Sequence, residues 1–428
     1  MNMSLFNHSS TNHPLIENNG QYVKYKKVIS IHSEDRNITK FPLASQFEID
    51  LPEGLLNIET VKLVSWSFPS NYSVFSIVNK NLELTFTIPS ATNINTPIAN
   101  TTSDPYLATL PTVKNILETS ATDKHEFIVV IEPGSYTPFQ LVVELTNKMN
   151  DIVELYIFNK MTDASYPNIN DFINGSTTYS GGFNGFTVAF NRISNTIWFG
   201  NNVFQFELTN TSQVINKSLE ALYCVYKSLP DFSNYGLPSN LGLPRRNIIA
   251  KQATNIKEYA FSYDRYKDSI YAGGTGNWID TSAIWNGPVY FIRCPQKINI
   301  MGQSHFYMDI PELNNMDETS PYSVSSNVLI QNKKNPCNTN DPSIINGRVD
   351  SAFAKISVPG LPLSLWYDIN SEGNYKLFDP PAERIKKLSI TIRYHNGMLV
   401  DFETFNFSFC LEFTLLNGYI PKSFNIRR

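Results

Sequence analysis

The chain has 428 residues, of which 42% are hydrophobic, 13% aromatic and only 17% charged, with a net charge of −4. Intrinsic disorder needs high charge and few aromatics, and a long coiled coil needs about half its residues to be Ala, Glu, Lys, Leu and Arg, so both are excluded. There is no basic excess of the kind nucleic acid demands. The length suits two or three domains, or one large β domain with insertions. The 48 Asn residues are of the type that A/T-rich codons encode.

Residues 1–22 are polar and without period, and predict a flexible arm. Strands are expected over 22–32 and 46–51, where Phe47, Ile49 and Leu51 alternate, then over 61–68 and 82–88. Pro52, Glu53 and Gly54 read as a turn. Residues 89–123 are rich in Thr, Ser, Asn and Pro and read as a long loop. A short strand is expected at 127–131. Thr137, Pro138 and Gln140 then form a capping-box pattern, and Leu141, Leu145 and Met149 repeat every four residues, which predicts a helix over 138–151. Segments 185–190, 196–199 and 204–208 predict an antiparallel meander. Further strands are expected at 288–293, 305–310, 327–331 and 351–358. The C-terminal run is the best patterned: Leu388, Ile390 and Ile392, an Asn396-Gly397 turn, and Phe407, Phe409, Leu411, Phe413 and Leu415 on one face. So many large apolar side chains in alternation need a second layer to cover them, which favours a β-sandwich.

The usual catalytic motifs are absent: no G-x-S-x-G, no H-E-x-x-H and no P-loop. Gly273, Gly274 and Gly276 have no Lys-Ser/Thr after them. The six His are scattered. Asp309, Glu312, Asp317 and Glu318 crowd one segment without the spacing of a calcium loop. The four cysteines, at 224, 294, 337 and 410, form no CxxC pair and suit free thiols in a reducing compartment. No basic-then-apolar leader and no run of 18 apolar residues occurs, so neither secretion nor a membrane span is expected. No cofactor and no metal is expected.

A set of ordered segments resembles minor capsid proteins of large icosahedral double-stranded DNA viruses, the giant viruses of phycodnavirus and mimivirus type. They are Ser33 to Arg36; Phe41-Pro42, Ser45, Phe47, Ile49 and Leu51-Pro52; Pro133-Gly134, Tyr136-Thr137-Pro138 and Leu141; Phe306, Met308, Ile310, Leu313 and Asn314; Ala352 to Ile356; and Asn396-Gly397, Leu399 to Phe402 and Phe407 to Glu412. The matches run in order from about residue 28 to 415. The chain departs from the family pattern at Asn396 and at Asn406-Phe407.

The resemblance implies a non-enzymatic virion structural protein that cements major capsid capsomers. Its fold would be mainly β, a jelly-roll-like antiparallel sandwich. Its partners would be the major capsid protein and other minor capsid proteins, with self-association in the shell as a further option. It would be made in the host cytoplasm and located in the virion. The expected organisation is an arm at 1–22, the first part of the sandwich at 23–123, an inserted α+β subdomain at 124–245, and the second part at 246–428. Low charge and high aromatic content suit a surface that neighbours bury. Loop aromatics are the contact candidates: Tyr235, Trp278, Trp285 and Tyr322. Two alternatives stand beside this reading: a vertex or fibre protein that binds a host receptor or glycan, and a glycan-cleaving β-sandwich enzyme with two carboxylates in a cleft.

Overall fold

The computed structural model describes residues 22–69, 73–98, 104–222, 235–261, 278–279, 284–320, 348–357, 365–368, 374–395 and 399–418. The expected arm up to residue 21, the strand at 327–331, the glycine-rich loop at 273–276 and the Asn396-Gly397 turn lie outside them. The chain divides into two compact units. Unit 1 joins Met1–Tyr72 to Gln303–Arg428, and unit 2 is Ser73–Gly302. The inserted unit is therefore wider than the 124–245 read from the sequence. The reason is pairing: strand 83–87 bonds to 126–130 and 207–208, all inside the insert.

In chain order, unit 1 opens with β1 (Tyr22–His32) and β2 (Gln46–Pro69). Unit 2 follows with β3 (Glu83–Thr87), β4 (Thr96–Pro97), α1 (Pro105–Thr122), β5 (Glu126–Val130), α2 (Pro138–Asp163) and α3 (Ile169–Asn174). It continues through β6 (Phe186–Asn191), β7 (Thr196–Asn201), β8 (Glu207–Leu208), α4 (Gln213–Leu222), α5 (Leu237–Asn240), β9 (Ile248–Ile249), β10 (Lys251–Gln252), β11 (Trp285–Asn286) and β12 (Tyr290–Arg293). Unit 1 resumes with β13 (His305–Asp309), β14 (Met316–Ser320), β15 (Arg348–Ala352), β16 (Ala354–Ser357), β17 (Leu365–Asp368), β18 (Tyr375–Arg393) and β19 (Ser408–Gly418). The molecule is mainly β, and every strand pairing among the described residues is antiparallel.

The main sheet of unit 1 runs β1-β19-β2-β18-β13-β16, with β17 also on β2. What the sequence divides into two strands and a turn is one strand, β2, that bends. Phe47 and Phe68 lie near its two ends, and a straight strand would hold them about 70 Å apart at ~3.3 Å per residue. Yet Phe47 lies 6.0 Å and Phe68 4.7 Å, ring centre to ring centre, from the same Phe407. The sheet therefore folds over on itself and supplies both layers of the sandwich. The corner falls at 52–57, which takes in the 52–54 segment that reads as a turn, and Asn57 there takes a positive φ of 51°. Opposite it, β18 shifts register between Leu377 and Ala382 and again between Ile385 and Lys387. Strands that switch layers commonly do so at such irregularities. Between the layers, Phe68 also meets Phe306 edge-on at 4.8 Å, and Phe402 packs 5.2 Å from Phe407. Val61, Leu63, Phe68, Leu411 and Phe413 are fully buried.

Two clusters from the family-like segments hold this unit in register. The Arg36 guanidinium donates to the carbonyls of Ser33 (2.7 Å), Phe41 (3.1 Å) and Pro42 (3.2 Å) and to the Asn406 side-chain oxygen (2.8 Å). The Ser33 amide donates to the Phe407 carbonyl, and the Phe407 amide to the Ser33 hydroxyl, both at 2.9 Å. The start of β19 is thereby clamped to the end of β1. Farther along, the Asn314 side chain accepts from the Ile310 amide (2.9 Å) and donates to Asp309 (2.6 Å). Buried Arg393 lies 3.9 Å from Asp309 and donates to the Ser351 carbonyl at 3.1 Å.

Unit 2 has two four-stranded sheets, β5-β3-β8-β9 and β10-β12-β7-β6. The expected meander is split between them: β6 and β7 pair as a hairpin, while β8 joins β3 in the other sheet. Helix α2 begins where the capping box predicts. The Gln140 amide donates to the Thr137 hydroxyl (3.3 Å), and the Thr137 amide to the Gln140 side chain (2.9 Å). The helix runs to Asp163, well past 151, because Val153, Ile157 and Met161 continue the buried stripe. The segment 89–123 is not a loop throughout, since it contains α1. Asp104 caps that helix through the amides of Tyr106 (3.0 Å) and Leu107 (3.3 Å), and Pro105 takes its first position. Its apolar stripe of Leu107, Leu110, Val113 and Leu117 is buried. Thr and Ser interleave that stripe and Pro111 interrupts it, which hid the period.

Candidate functional site

Of the four loop aromatics, the three that the structure describes form no exposed patch. Tyr235 is 1% exposed, and its hydroxyl donates to the carbonyls of Leu243 (2.8 Å) and Pro244 (2.6 Å). It is the pin around which the 235–244 loop closes, so its contact role is corrected. Trp278 is 4% exposed. Its indole N–H donates to the Tyr259 carbonyl, and its ring stacks on Phe261 (5.9 Å) and meets Trp198 edge-on (6.1 Å). It belongs to an aromatic core over the β10-β12-β7-β6 sheet, and its contact role is corrected too. Burying a large ring together with its one polar atom is favourable only when that atom finds a partner, and both residues have done so. Trp285 is half-buried in β11, opposite Pro97 of β4. Tyr322 lies outside the described residues.

What the structure does expose is one edge of the unit 1 sheet. Among the described residues β1 pairs only with β19, so its other side is open. Val23 (55% exposed), Tyr25 (43%) and Val28 (56%) stand along it. Its three lysines are each neutralised from within the unit: Lys24 by Glu59, Lys26 by Glu412 at 2.8 Å, and Lys27 by Glu53. Edge lysines ordinarily discourage strand pairing. Here their charge is compensated, so the edge presents unpaired backbone groups and apolar side chains without a net repulsive field. The sequence identifies β1 as a strand, but edge position depends on which strands lie beside it, and only the register with 408–418 reveals that.

Two other titratable groups have structural surroundings. Glu48 accepts from Lys40 at 3.0 Å and from Lys387, and these partners hold its carboxyl below the usual carboxylate range. Burial pushes the Cys294 thiol up and makes it a small core hydrophobe. Cys294 and Cys410 are both free. Among the described residues no three His, Cys, Asp or Glu side chains gather as a metal site. Nor, among the described residues, is any helix long and apolar enough to cross a membrane.

No family model matches the chain, and no curated protein matches it. Two solved structures are similar to it over 92% of its length. One is the mavirus penton protein, at 10% identity, with 99% of that chain covered and a TM-score of 0.33. The other is from the Sputnik virophage particle, at 10% identity, with 98% of that chain covered and a TM-score of 0.32. At these scores the likeness carries no functional assignment, and the reading of this protein rests on its own residues.

Proposed function

We propose that the chain is a virion structural protein, a minor capsid protein that cements major capsid capsomers in an icosahedral shell and has no catalytic role. The observation that carries this reading is the open β1 edge, with exposed Val23, Tyr25 and Val28 beside internally neutralised lysines. An open edge with apolar side chains is a template for a strand or loop of a neighbouring chain. The order of family-like segments agrees with it, since Ser33, Arg36, Asn314 and Phe407 each hold the sandwich in register. The partners on this reading are the major capsid protein and other minor capsid proteins, and the location is the virion after synthesis in host cytoplasm. Burial of Tyr235 and Trp278 removes two contact candidates from this reading and from the receptor-binding alternative alike.

The test is the protein composition of purified virions. The chain should be present at a constant ratio to the major capsid protein, and its absence would sink the reading. Tyr25→Lys together with Val28→Lys should leave the fold intact, because both side chains are exposed, and should lower incorporation into particles.

A further inference from the structure

A cavity of about 330 Å³ opens in unit 2 beside β12. Its apolar wall is Ile248, Ile249, Phe291 and Ile292, and its charged members are Lys251, Arg293 and Glu258. The sheet register sets the two cations. Lys251 stands opposite Phe291, and Arg293 opposite Trp198. Side chains two apart on a strand share a face, so Lys251, Phe291 and Arg293 lie on the same side.

Arg293 is held before any ligand arrives. Its guanidinium carbon sits 4.4 Å from the centre of the Trp198 ring and 5.3 Å from that of Phe291. One N–H donates to the Glu258 carbonyl. The Glu258 carboxylate is engaged by Thr254, through its hydroxyl and its amide (3.3 Å), and by the Asn255 side chain (3.2 Å). Glu258 also acts on Arg293 electrostatically across the cavity, but among the described residues neither Arg293 nor Lys251 has a carboxylate at ion-pair distance. Two cations against the one Glu258 carboxylate leave a positive excess above an aliphatic wall, and that excess complements a carboxylate on an apolar body. Stacking on Trp198 leaves guanidinium edges free for the paired hydrogen bonds that a carboxylate accepts.

We propose that this cavity is an anchor site for an acidic peptide, with an Asp or Glu carboxylate held between Lys251 and Arg293 and a neighbouring aliphatic residue against Ile249. A peptide is favoured over an acidic sugar by the walls. The Trp198 face is occupied by Arg293, Phe291 is buried, and the most exposed wall residue is Ile249, at 52%. A sugar ring needs a free aromatic face and several hydroxyl partners, whereas an aliphatic side chain needs only Ile249. That the peptide belongs to another virion protein rests on the assembly reading above; the chemistry of the cavity does not.

The experiment titrates the full chain with acetyl-Glu-Leu-amide and with its Gln counterpart, by calorimetry and ligand-observed NMR. The Glu peptide should bind and the Gln peptide should not. Lys251→Gln, an exposed and fold-neutral change, should weaken binding about tenfold. Arg293→Lys should weaken it too, because the fork is lost while the charge stays. Added salt should weaken it further. Absence of peptide binding, equal binding of both peptides, or an unchanged affinity in Lys251→Gln would each overturn the proposal. Binding of a glucuronate-bearing oligosaccharide in place of the peptide would overturn it in favour of an acidic glycan site. Virion incorporation is scored separately. Loss of the chain from virions sinks the assembly reading and leaves the peptide result standing, and the reverse holds equally.

Discussion

Two sheet edges in this molecule face opposite fates. The edge of β6 in unit 2 is closed by helix α2. The Asn150 side chain donates to the Phe186 carbonyl (3.0 Å) and accepts from the Phe186 amide (2.8 Å), and the Thr146 hydroxyl accepts from the Val188 amide (2.9 Å). Two side chains of a helix thus stand in for a missing strand, in a place where unpaired backbone groups would be buried and costly. The edge of β1 in unit 1 has no such cover among the described residues, and its lysines are occupied elsewhere. The difference teaches that edge protection is within this chain's means. On the proposed function, the open edge of β1 is the surface a partner would cover.

The comparison can be broken most forcefully at Asn150. Asn150→Ala should destabilise unit 2 by about 1–3 kcal/mol, because one buried carbonyl and one buried amide lose their partners together. Denaturant unfolding would measure it, and hydrogen exchange should show the Phe186 amide deprotected. An unchanged Phe186 amide would mean that the helix is not what closes the β6 edge. A smaller effect is expected at the start of the same helix. Thr137→Ala removes the reciprocal cap with Gln140 and should cost about 1 kcal/mol, read as a lower unfolding midpoint with an unchanged denaturant slope.

The smallest effect is at the rim of unit 1. Glu48 has a folded pKa lowered by Lys387 and Lys40. Its contribution is therefore present above the unfolded carboxylate pKa and lost as pH falls through the folded value. Glu48→Gln should flatten the acid limb of the stability curve slightly and leave neutral-pH stability nearly unchanged, since the pair is exposed. A large loss at neutral pH would show that the pair holds the two strands together.

Much of this was legible in the sequence, for reasons particular to each element. The cap at Thr137 and the alternation from Phe407 to Leu415 are local patterns, and local patterns survive without a fold. The bend of β2 shows in the sequence only as a turn at 52–54, because Pro52 and Gly54 signal a break without saying that pairing continues through it. Helix α1 was hidden by Thr, Ser and Pro111 within its stripe. Tyr235 and Trp278 looked like exposed loop aromatics because loops are usually superficial; their burial depends on the carbonyls of Leu243, Pro244 and Tyr259, which only the folded chain brings to them. The β1 edge and the Lys251–Arg293 cavity are properties of neighbouring strands, and a single strand does not encode its neighbours.

The folded-over sheet of unit 1 also sets an order of events. Its β1 pairs with β19, Tyr22 opposite Gly418, so strands made first wait for strands made last. Unit 2 lies wholly between them and is complete in sequence before β13 emerges. During synthesis unit 2 is therefore free to fold while Phe47, Val61 and Phe68 of β2 still lack Phe407 and Phe413. Contacts so distant in sequence are slow to form, and such waiting strands invite aggregation. The chain's vulnerable moment is thus the interval between translation of β2 and arrival of β19, and a cell that makes this protein in quantity needs to shield β2 through it.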